Sequence, residues 1–277
     1  MADFKKNIRK IALILLKTFN PGKIKIKHPR TGYPFILDAY LHKGYWFRGK
    51  KVDMHSMNLF EELIAANDTV IEAGAHIGLM TQLFSKLAGK DGLVYTFEPG
   101  INNLPYLRKN ISLCSFPNIV LIEKAVSNQN GTAVFYIENY TGQNNSLIPD
   151  HIGINAYNKN TTDKNKAVLE VETVTLDSFC TEHNISKVDF IKVDIEGAEI
   201  MAIRGMIEML RKYKPSFMFE VTQNSKEIFD NLKKCGYILF DESKRILKQI
   251  DYSGNVFGIH EDNKNMLKKI SLVLPEN

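Results

Sequence analysis

The stretch VIEAGAHIG at residues 70–78 decides the fold class of this chain. Its apolar residues lead to the carboxylate of Glu72, and a helix-like pattern begins directly after Gly78. Gly74 and Ala75 lie between them, so the turn is built from small residues. Glycine lets the backbone approach a ligand closely, and a helix N-terminus offers unpaired N–H groups. The stretch therefore predicts the first strand, turn and helix of an α/β domain, with a nucleotide-type site at the turn.

Strand-like and helix-like segments alternate outward from this stretch. The predicted strands are residues 69–73, 93–98, 119–123, 188–194, 216–221, 237–240 and 256–260. The predicted helices are residues 79–88, 103–113, 198–212 and 226–235. This alternation indicates right-handed crossovers and a mostly parallel sheet with helices on both faces. An additional strand pair, 133–137 and 168–174, flanks a polar segment, 139–166, which is either a functional loop or disordered.

The composition of the turn disfavours a dinucleotide and favours a smaller adenosine ligand. A dinucleotide fingerprint needs glycine where this chain has His76 and Leu79. The second strand ends at Glu98, where a carboxylate can accept hydrogen bonds from both hydroxyls of a ribose. Nearby carboxylates favour a cationic group in the rest of the ligand, so S-adenosylmethionine fits. The cofactor contacts predicted in these segments are Glu72, Gly74, Ala75, Gly78 and Glu98.

Five motifs within residues 55–260 resemble the FkbM family of S-adenosylmethionine-dependent methyltransferases. They are EAGAHIG at 72–78, YTFEP at 95–99, NNSL at 144–147, VTLD at 174–177 and KVDIEGAE at 192–199. The first motif of that family usually begins with Asp and has Asn where this chain has Glu72 and His76. The resemblance therefore assigns no specific role to His76.

The resemblance implies a Rossmann-like, three-layer αβα methyltransferase fold. Its seven-stranded sheet is mostly parallel, and the last strand inserts antiparallel. The resemblance also implies that Ala125 and Val126, which follow the third strand, flank the adenine. Members of the family are mostly associated with O-methylation, so we expect the acceptor to be a hydroxyl on a sugar, a glycan or a secondary metabolite.

The end of the fourth predicted strand carries the best candidates for catalysis. Asp194 ends that strand, and Glu196 precedes the next helix. Ligands of open α/β sheets bind at the carboxyl ends of the strands, so both carboxylates should face the methyl donor. Methyl transfer depends on alignment, and a carboxylate can remove the proton of an alcohol. We predict Asp194 first and Glu196 second as the base or as the group that orients the acceptor.

Several other residues are weaker candidates, because a structural role explains each at least as well. Those that could act as a base, line the acceptor side or stack on a sugar are His55, His76, His151, Glu199, Glu220, Thr222, Asn224, Tyr45, Trp46 and Phe47. No spacing of ligands predicts a metal site, although acids near the fourth and fifth strands could bind Mg²⁺ without leaving a signature.

The N-terminal segment differs in charge from the rest of the chain. Residues 1–30 contain nine Lys or Arg and one acid, so the rest of the chain carries −3 against +5 for the whole. A mildly acidic main domain makes nucleic acid an unexpected partner. We divide the chain into an appendage at 1–54, with a basic helix at 4–19, and a methyltransferase domain at 55–277. The helix could lie on anionic lipid, on the main domain or on a second subunit.

Composition sets the general class and the expected compartment. A chain of 277 residues with 44% hydrophobic and 24% charged residues is neither disordered nor fibrous. No apolar run reaches the length of a membrane-spanning helix. Cys114, Cys180 and Cys235 are predicted to be buried free thiols, which suits a reducing compartment. We therefore expect a cytoplasmic protein, with peripheral membrane contact and homo-oligomerisation left open.

Three other functions compete with hydroxyl methylation. A methylase of nucleobase amino groups usually has Asn or Asp followed by Pro-Pro-Tyr after the fourth strand, whereas DIEG occupies residues 194–197 here. RNA or protein acceptors nevertheless stay open as a class. A non-catalytic binding module would not need the combination of Glu72, Gly74, Gly78 and Glu98. A nicotinamide dehydrogenase is disfavoured by His76 and Leu79.

Overall fold

A small β-hairpin precedes the main sheet in this computed structural model, which describes residues 16–48, 53–138, 141–149 and 167–272. Strand β1 (Lys23–Lys27) pairs antiparallel with β2 (Pro34–Asp38). Helices α1 (Lys43–Phe47) and α2 (Met54–Leu63) follow. The helix predicted at 4–19 lies mostly outside the described residues, of which 16–18 are helical.

The rest of the chain alternates between strands and helices. In order, the elements are β3 (Thr69–Ala73), α3 (Leu79–Ala88), β4 (Leu93–Phe97), α4 (Leu104–Ile111), β5 (Ile119–Ile122), β6 (Ala125–Val126), β7 (Gly131–Ile137), β8 (Ala167–Val174), α5 (Leu176–Glu182), β9 (Phe190–Val193), α6 (Glu199–Arg204), α7 (Ile207–Tyr213), β10 (Ser216–Val221), α8 (Ser225–Lys234), β11 (Tyr237–Phe240), β12 (Gly254–His260) and α9 (Lys264–Ile270).

The main sheet has seven strands in the order β11-β12-β10-β9-β3-β4-β5. Neighbouring strands from β10 to β5 run parallel, whereas β12 runs antiparallel to both β10 and β11. The predicted mostly parallel sheet with an antiparallel last strand is therefore confirmed. The order reverses at β3, so the crevice where such sheets bind ligands lies at the carboxyl ends of β3 and β9.

Apolar residues on both faces of the sheet explain its burial. Along β3, Val70 packs in one hydrophobic cluster and Ile71 in the other, because successive side chains point to opposite faces. Phe60 of α2 and Phe84 of α3 cover the first face, and Leu210 of α7 covers the second. These two helical layers with the sheet between them make the predicted three-layer αβα architecture.

A smaller sheet is inserted after the third strand of the main sheet. Strands β7 and β8 pair antiparallel, as the sequence predicts, and the short β6 pairs parallel with β8. Because β6 follows β5 directly, the insertion starts at the same edge of the sheet as the ligand crevice. Residues 141–149, the described part of the polar segment between β7 and β8, are anchored by a bridge from Ser146 to Tyr136.

Two features of the helices differ from the sequence-based prediction. The helix predicted at 198–212 is two helices, α6 and α7, interrupted at Gly205. A Cβ at Gly205 would lie 2.1 Å from the carbonyl oxygen of Ser127, so the chain turns there to pack against the residue after β6. The helices α2, α5 and α9 were not expected, because their apolar positions are few or merge with neighbouring strand patterns.

The hairpin is packed into the main hydrophobic core. Phe35 and Leu37 are buried in the same cluster as Phe60 and Val70. A boundary between an appendage and a main domain at residue 54 stays a prediction. Cys180 and Cys235 are buried and Cys114 is half-buried, all three as free thiols. Within the described residues, no helix is both long and apolar enough to span a membrane.

Candidate active site

The ends of β3 and β9 come into contact at Gly74. The φ angle of Gly74 is +86°, which residues with side chains rarely adopt. A Cβ at this position would lie 1.8 Å from the carbonyl oxygen of Asp194. The N–H groups of Gly74 and Ala75 both donate to the carbonyl of Phe97, at 3.0 and 3.2 Å. Glycine is therefore required here by the crossing of two backbone segments, and the turn is fixed against β4.

Glu98 is held at the end of β4 by three protein donors. Its Oε1 accepts from Gly100 N at 2.9 Å and from Asn103 Nδ2 at 3.2 Å, and its Oε2 accepts from His76 N at 2.7 Å. Burial, opposed by these hydrogen bonds, raises the pKa of Glu98 to about 7. A carboxylate accepts about four hydrogen bonds, so one site on Oε2 is left. Glu98 can therefore accept one conventional hydrogen bond from a ribose hydroxyl, whereas the sequence led us to expect two.

A cleft opens along the carboxyl ends of these strands. Six residues predicted from the sequence line it: Gly74, Glu98, Ala125, Val126, Asp194 and Glu196. Ala125 and Val126, both buried, form β6 directly after β5. Asp194 follows β9, three strand spacings away, or about 14 Å. The cleft therefore joins an apolar end to an acidic end.

Glu72 does not line this cleft. It is fully buried, and its Oε2 accepts from the hydroxyls of Thr81 at 2.6 Å and Thr96 at 2.7 Å. Its Oε1 has no hydrogen-bond partner among the described residues. Burial, partly offset by Lys192, raises the pKa of Glu72. Glu72 instead lines a second cavity, which adjoins the cleft.

Ala75 and Gly78 also lie away from the cleft. Ala75 lines the second cavity and packs against Leu107 of α4. Gly78 begins α3 with a φ of +91°, and a Cβ there would lie 2.7 Å from a methyl carbon of Leu107. Gly78 therefore allows close packing of α3 on α4. Its predicted cofactor contact stays a prediction.

An acidic cluster with one buried lysine forms the acidic end of the cleft. The Nζ atom of Lys192 lies 3.0 Å from Asp194 Oδ2 and donates to Gly74 O at 3.1 Å. Burial opposes the ionisation of Asp194, but the Lys192 ammonium and a hydrogen bond from Glu220 lower its pKa. The charge on Asp194 and then burial raise the pKa of Glu220. Asp194 is therefore ionised at neutral pH, and Glu220 is the protonated partner that donates to it.

Glu196 is the third acid of this cluster. Burial, followed by the charge on Asp194, raises the pKa of Glu196. Its φ of +55° is unusual for a residue with a side chain, and the Ser146 hydroxyl donates to its carbonyl oxygen at 2.6 Å. Carboxylate oxygens of Asp194, Glu196 and Glu220 lie within 4.8 Å of one another. That spacing is compatible with a shared cation, and the cluster already contains the ammonium of Lys192.

Comparison with known proteins identifies the family. The Methyltransferase FkbM domain matches residues 72–239, more than half of the chain. The chain belongs to the FkbM methyltransferase family. It is 25% identical over 164 residues to Methyltransferase sdnD of Sordaria araneosa, covering 52% of this chain and 62% of that protein. It is 28% identical over 167 residues to 2-O-methyltransferase NoeI of Sinorhizobium fredii, covering 58% and 65%. The chain thus spans less than two thirds of either relative.

A solved structure is similar over part of its length. It is the methyltransferase FkbM from Methylobacillus flagellatus, with a TM-score of 0.45 and 15% identity. The similarity covers 69% of this chain and 43% of that one. The matched family segment of the present FkbM methyltransferase contains both the apolar and the acidic end of the cleft, from Glu98 to Glu220.

His76 is a residue of this FkbM methyltransferase whose role the sequence did not indicate. Its Nδ1 lies 2.8 Å from the Tyr45 hydroxyl, and its Nε2 lies 2.9 Å from the carbonyl oxygen of Thr141. A carbonyl only accepts, so Nε2 donates to Thr141 and Nδ1 accepts from Tyr45. Burial, then the proximity of His42, lowers the pKa of His76 to about 3. His76 is therefore a neutral bridge between the N-terminal segment and the loop above the cleft, with no ring nitrogen left to act as a base.

A signal for this role exists in the sequence motif. His76 has a φ of +51°, a conformation that Asn tolerates better than most residues. His is also among the residue types that adopt this conformation more readily than most, and from it the imidazole reaches Tyr45.

Residues 141–149 cover part of the cleft. Thr141 N and Gly142 N donate to Glu138 Oε2 at 2.8 and 3.0 Å. Asn103 Nδ2 donates to Gly142 O at 3.0 Å, which ties the loop to the start of α4. Five residues of the loop line the cleft: Gly142, Gln143, Asn144, Asn145 and Leu147. This part of the predicted loop at 139–166 is therefore a wall of the site, whereas 150–166 lie outside the described residues.

The weaker candidates differ in whether they line the cleft or the second cavity. Tyr45 lines the cleft, but the Trp46 indole donates to Ala39 O at 2.9 Å. Glu199 is buried at the start of α6, and its Oε1 accepts from Gly197 N at 3.0 Å, as expected for a residue that stabilises its own turn. Residues that line neither cavity within the described chain are His55, Phe47, Thr222 and Asn224. His151 lies outside the described residues.

Proposed function

We propose that this methyltransferase uses S-adenosylmethionine to methylate a hydroxyl on a sugar, a glycan or a secondary metabolite. The observation that carries the proposal is the acidic cluster of Asp194, Glu196 and Glu220, which lies in the same cleft as the apolar residues of β6. One relative is named a 2-O-methyltransferase, which supports a hydroxyl acceptor.

The residues of the cleft fit an adenosine with a cationic tail. Ala125 and Val126 offer an apolar wall for a purine, and Glu98 has one acceptor site for a ribose hydroxyl. The carboxylates near Asp194 favour positive charge, which the sulfonium and ammonium groups carry. Gly74 allows the end of β3 to contact the backbone of Asp194, an approach that a Cβ would prevent. When bound, S-adenosylmethionine supplies an electrophilic methyl group.

The two predicted catalytic carboxylates have different roles in this proposal. Asp194 stays ionised because Lys192 lowers its pKa, which makes Asp194 a weak base and a good fixed negative charge. Glu196 has a raised pKa, which makes its ionised form a stronger base near neutral pH. We therefore place Glu196 before Asp194 as the base, the reverse of the order predicted from the sequence.

Proton removal and orientation then divide between them. Glu196 would take the proton of the attacking hydroxyl on a carboxylate oxygen, as that hydroxyl displaced S-adenosylhomocysteine from the methyl carbon. Asp194 orients the reacting groups and balances positive charge at the acidic end of the cleft. The main contribution of the protein is alignment, because in-line methyl transfer needs a fixed approach of the acceptor.

Two measurements on the whole chain test the proposal. Calorimetric titration with S-adenosylmethionine should show saturable binding with one site per chain, and titration with NADH should show none. Transfer of a tritiated methyl group from S-adenosylmethionine to a panel of methyl glycosides should give a labelled, base-stable methyl ether. A folded chain that binds no S-adenosylmethionine, or that labels only amines or protein carboxyls, would overturn the proposal.

A further inference from the structure

The second cavity meets the cleft at the acidic cluster. The residues that line both are Tyr45, Asp53, Gly74, His76, Asp194 and Glu220. From there the second cavity extends toward Ser56 of α2, Met80 of α3 and Asn255 of β12, none of which lines the cleft. A group held in the second cavity at Asp194 would therefore face a group held in the cleft at the same residue.

We propose that the second cavity binds the methyl acceptor and that its lining selects a neutral, polyhydroxylated molecule such as a sugar. The inference rests on the proposed function, because it assigns the cleft to S-adenosylmethionine. It goes further by naming the part of the chain that recognises the acceptor and the chemistry that the acceptor must have.

The far end of the second cavity presents hydrogen-bond acceptors. Asn255 Nδ2 donates to Ser56 Oγ at 2.9 Å and to Glu242 Oε1 at 3.0 Å, and Ser56 Oγ donates to the same carboxylate. Ser56 Oγ and Glu242 Oε1 lie too close together for the two diverging amide protons of Asn255 to reach one each. One amide proton is therefore shared between them, and the hydroxyl proton of Ser56 is committed to Glu242. Asn255 Oδ1 and a lone pair of Ser56 Oγ remain as acceptors, and the second amide proton of Asn255 remains as a donor. A ligand that fits this end can both donate and accept hydrogen bonds, as hydroxyl groups do.

An unpartnered buried atom indicates that a polar ligand enters the cavity. Glu72 lines the second cavity, is 0% exposed, and its Oε1 has no hydrogen-bond partner among the described residues. Buried polar atoms are nearly always satisfied in folded proteins, and the exceptions concentrate at functional sites. A hydroxyl group in the cavity would satisfy this oxygen.

Charge in the second cavity favours a neutral ligand. A phosphate or carboxylate group would face the ionised Asp194, and the ammonium of Lys192 is already paired with that carboxylate. An amine would add positive charge beside Lys192, which also lines the second cavity and already pairs with Asp194 at 3.0 Å. Hydroxyl groups avoid both unfavourable charge contacts, because they carry no charge, and they both donate and accept hydrogen bonds.

The shape of the lining also suits a sugar ring. Leu79, Met80 and Met218 give the cavity an apolar side. The Tyr45 ring, stacked on His76 with 5.8 Å between ring centroids and 24° between planes, forms part of the wall shared with the cleft. A pyranose has an apolar face of C–H groups and an edge of hydroxyls, and this cavity has both kinds of surface.

Part of the wall of the second cavity comes from outside the family match. Tyr45, Ser56 and Asn255 lie outside residues 72–239, whereas the cleft residues Glu98 and Glu196 lie within them. A shared cofactor site combined with a chain-specific acceptor wall is the arrangement that lets related methyltransferases differ in acceptor. The location of these residues thus supports a role in recognition of the acceptor.

The test uses the full chain and two substitutions at the far end of the cavity. Ser56→Ala removes the hydroxyl, and Asn255→Leu keeps the approximate size of the side chain while removing its acceptor oxygen. Ser85→Ala is the matched control, because Ser85 is equally buried and its Oγ donates to Asn118 Oδ1 at 2.6 Å, away from both cavities. Each variant is titrated with S-adenosylmethionine, and its KM is measured for the best methyl glycoside of the panel.

We expect Ser56→Ala and Asn255→Leu to raise the KM for the glycoside about tenfold, the usual scale for one lost hydrogen bond. Their Kd for S-adenosylmethionine should stay within about twofold of the wild type, which also shows that they are folded. Ser85→Ala should change neither constant. Loss of cofactor affinity with unchanged glycoside KM would instead assign the cavity to the cofactor.

Two further outcomes would overturn the inference. An unchanged glycoside KM in both variants would remove the second cavity from acceptor recognition. A wild-type chain that binds S-adenosylmethionine but methylates amines and no glycoside of the panel would refute the sugar-like class while leaving methyl transfer intact. Absence of S-adenosylmethionine binding in the wild type is a separate result, because it overturns the proposed function itself.

Discussion

The cleft and the second cavity share a boundary but differ in where their residues come from. The cleft is built by the ends of β3, β4 and β9 and by β6, all within the segment matched by the FkbM family. The second cavity takes its distinct wall from α2, α3 and β12. Of these three elements, only α3 lies within the matched segment. The second cavity thus takes part of its distinct wall, Ser56 and Asn255, from outside the matched segment, whereas Tyr45 and Asp53, also outside it, are common to both spaces.

The two spaces also differ in how their polar groups are satisfied. In the cleft, Glu98 already accepts two hydrogen bonds from its own loop and one from the turn after β3, so its geometry is fixed before any ligand binds. In the second cavity, Glu72 has an oxygen without a partner. The cleft is thus preorganised, whereas the second cavity has a polar atom without a hydrogen-bond partner. In the proposed function, the acceptor supplies that missing hydrogen bond. Each prediction below tests one side of this contrast.

The largest effect is expected at Glu196, which lines the cleft close to the shared residues Asp194 and Glu220. Glu196→Gln keeps the size of the side chain but removes the base, so kcat should fall by roughly a hundredfold to ten-thousandfold. Cofactor affinity should change little, because Glu196 acts on the acceptor. Single-turnover transfer of labelled methyl would measure the loss. Glu208→Gln on the exposed surface of α7 is the control, and equal rates for the two variants would contradict the proposed role of Glu196.

The next effect concerns the close backbone contact between Gly74 and Asp194, which both line the cleft. Gly74→Ala should destabilise folding by about 2–4 kcal/mol and abolish cofactor binding, since the new Cβ would collide with the Asp194 carbonyl. Gly89→Ala is a close control, because Gly89 has a similar φ of +72° but nothing within 4 Å. It should cost about 1 kcal/mol from backbone conformation alone. Similar free energies of unfolding in urea for both variants would show that this contact has no special constraint.

The contrast also explains what the sequence could reveal. The alternation of apolar strands and helices predicts the main sheet, and the turn at Gly74 predicts the site at the end of β3, because both depend on local patterns. The interruption at Gly205 depends on a contact with Ser127, about eighty residues away in the chain, which no local pattern encodes. The helix α2 was missed for a related reason, since its buried face is defined by the sheet on which it packs.

Within the site, the same difference separates the residues that the sequence places on the cleft from those that it does not. The positions of Glu98 and Asp194 on the cleft could be predicted because each follows a parallel strand at its carboxyl end, and their roles stay predictions. Lys192 precedes Asp194 by two residues. Its ion pair with Asp194 nevertheless depends on burial, which cannot be read from the sequence. Ser56 and Asn255 are 199 residues apart and meet only after the last strand inserts. Their contribution to the second cavity could be found only in three dimensions.

A smaller effect, on the pH dependence of stability and cofactor affinity, is expected at Glu98 in the cleft. Burial raises the pKa of Glu98 from its ordinary value of 4.5 to about 7. The folded state then binds a proton that the unfolded state has lost, so this part of the stability is full below pH 4.5 and disappears as pH rises through about 7. Cofactor affinity should change in the opposite direction, because the ionised carboxylate is the stronger acceptor for a hydroxyl.

Glu98→Gln separates these two consequences. The variant should bind S-adenosylmethionine more weakly at about pH 8, by roughly 1–3 kcal/mol. It should also lose most of the increase in affinity that the wild type shows between about pH 6 and about pH 8. Glu123→Gln, a surface variant paired with Arg108, should retain the wild-type profile. A wild-type affinity that falls as pH rises over this range would contradict the assigned role of Glu98.

The smallest effect is expected at Tyr45, which lines both spaces. Tyr45→Phe removes the hydroxyl that donates to His76 and should lower the free energy of unfolding by about 0.5–1.5 kcal/mol. Tyr213→Phe loses a comparable bond, to Ile185 O at 2.6 Å, far from the site. Both variants should therefore unfold at similar urea concentrations. Only Tyr45→Phe should change the constants for cofactor and glycoside, each by less than about fivefold, because the ring remains and only its anchor is lost. A large loss confined to one ligand would assign Tyr45 to one cavity alone and would weaken the view that the two spaces are joined at this residue.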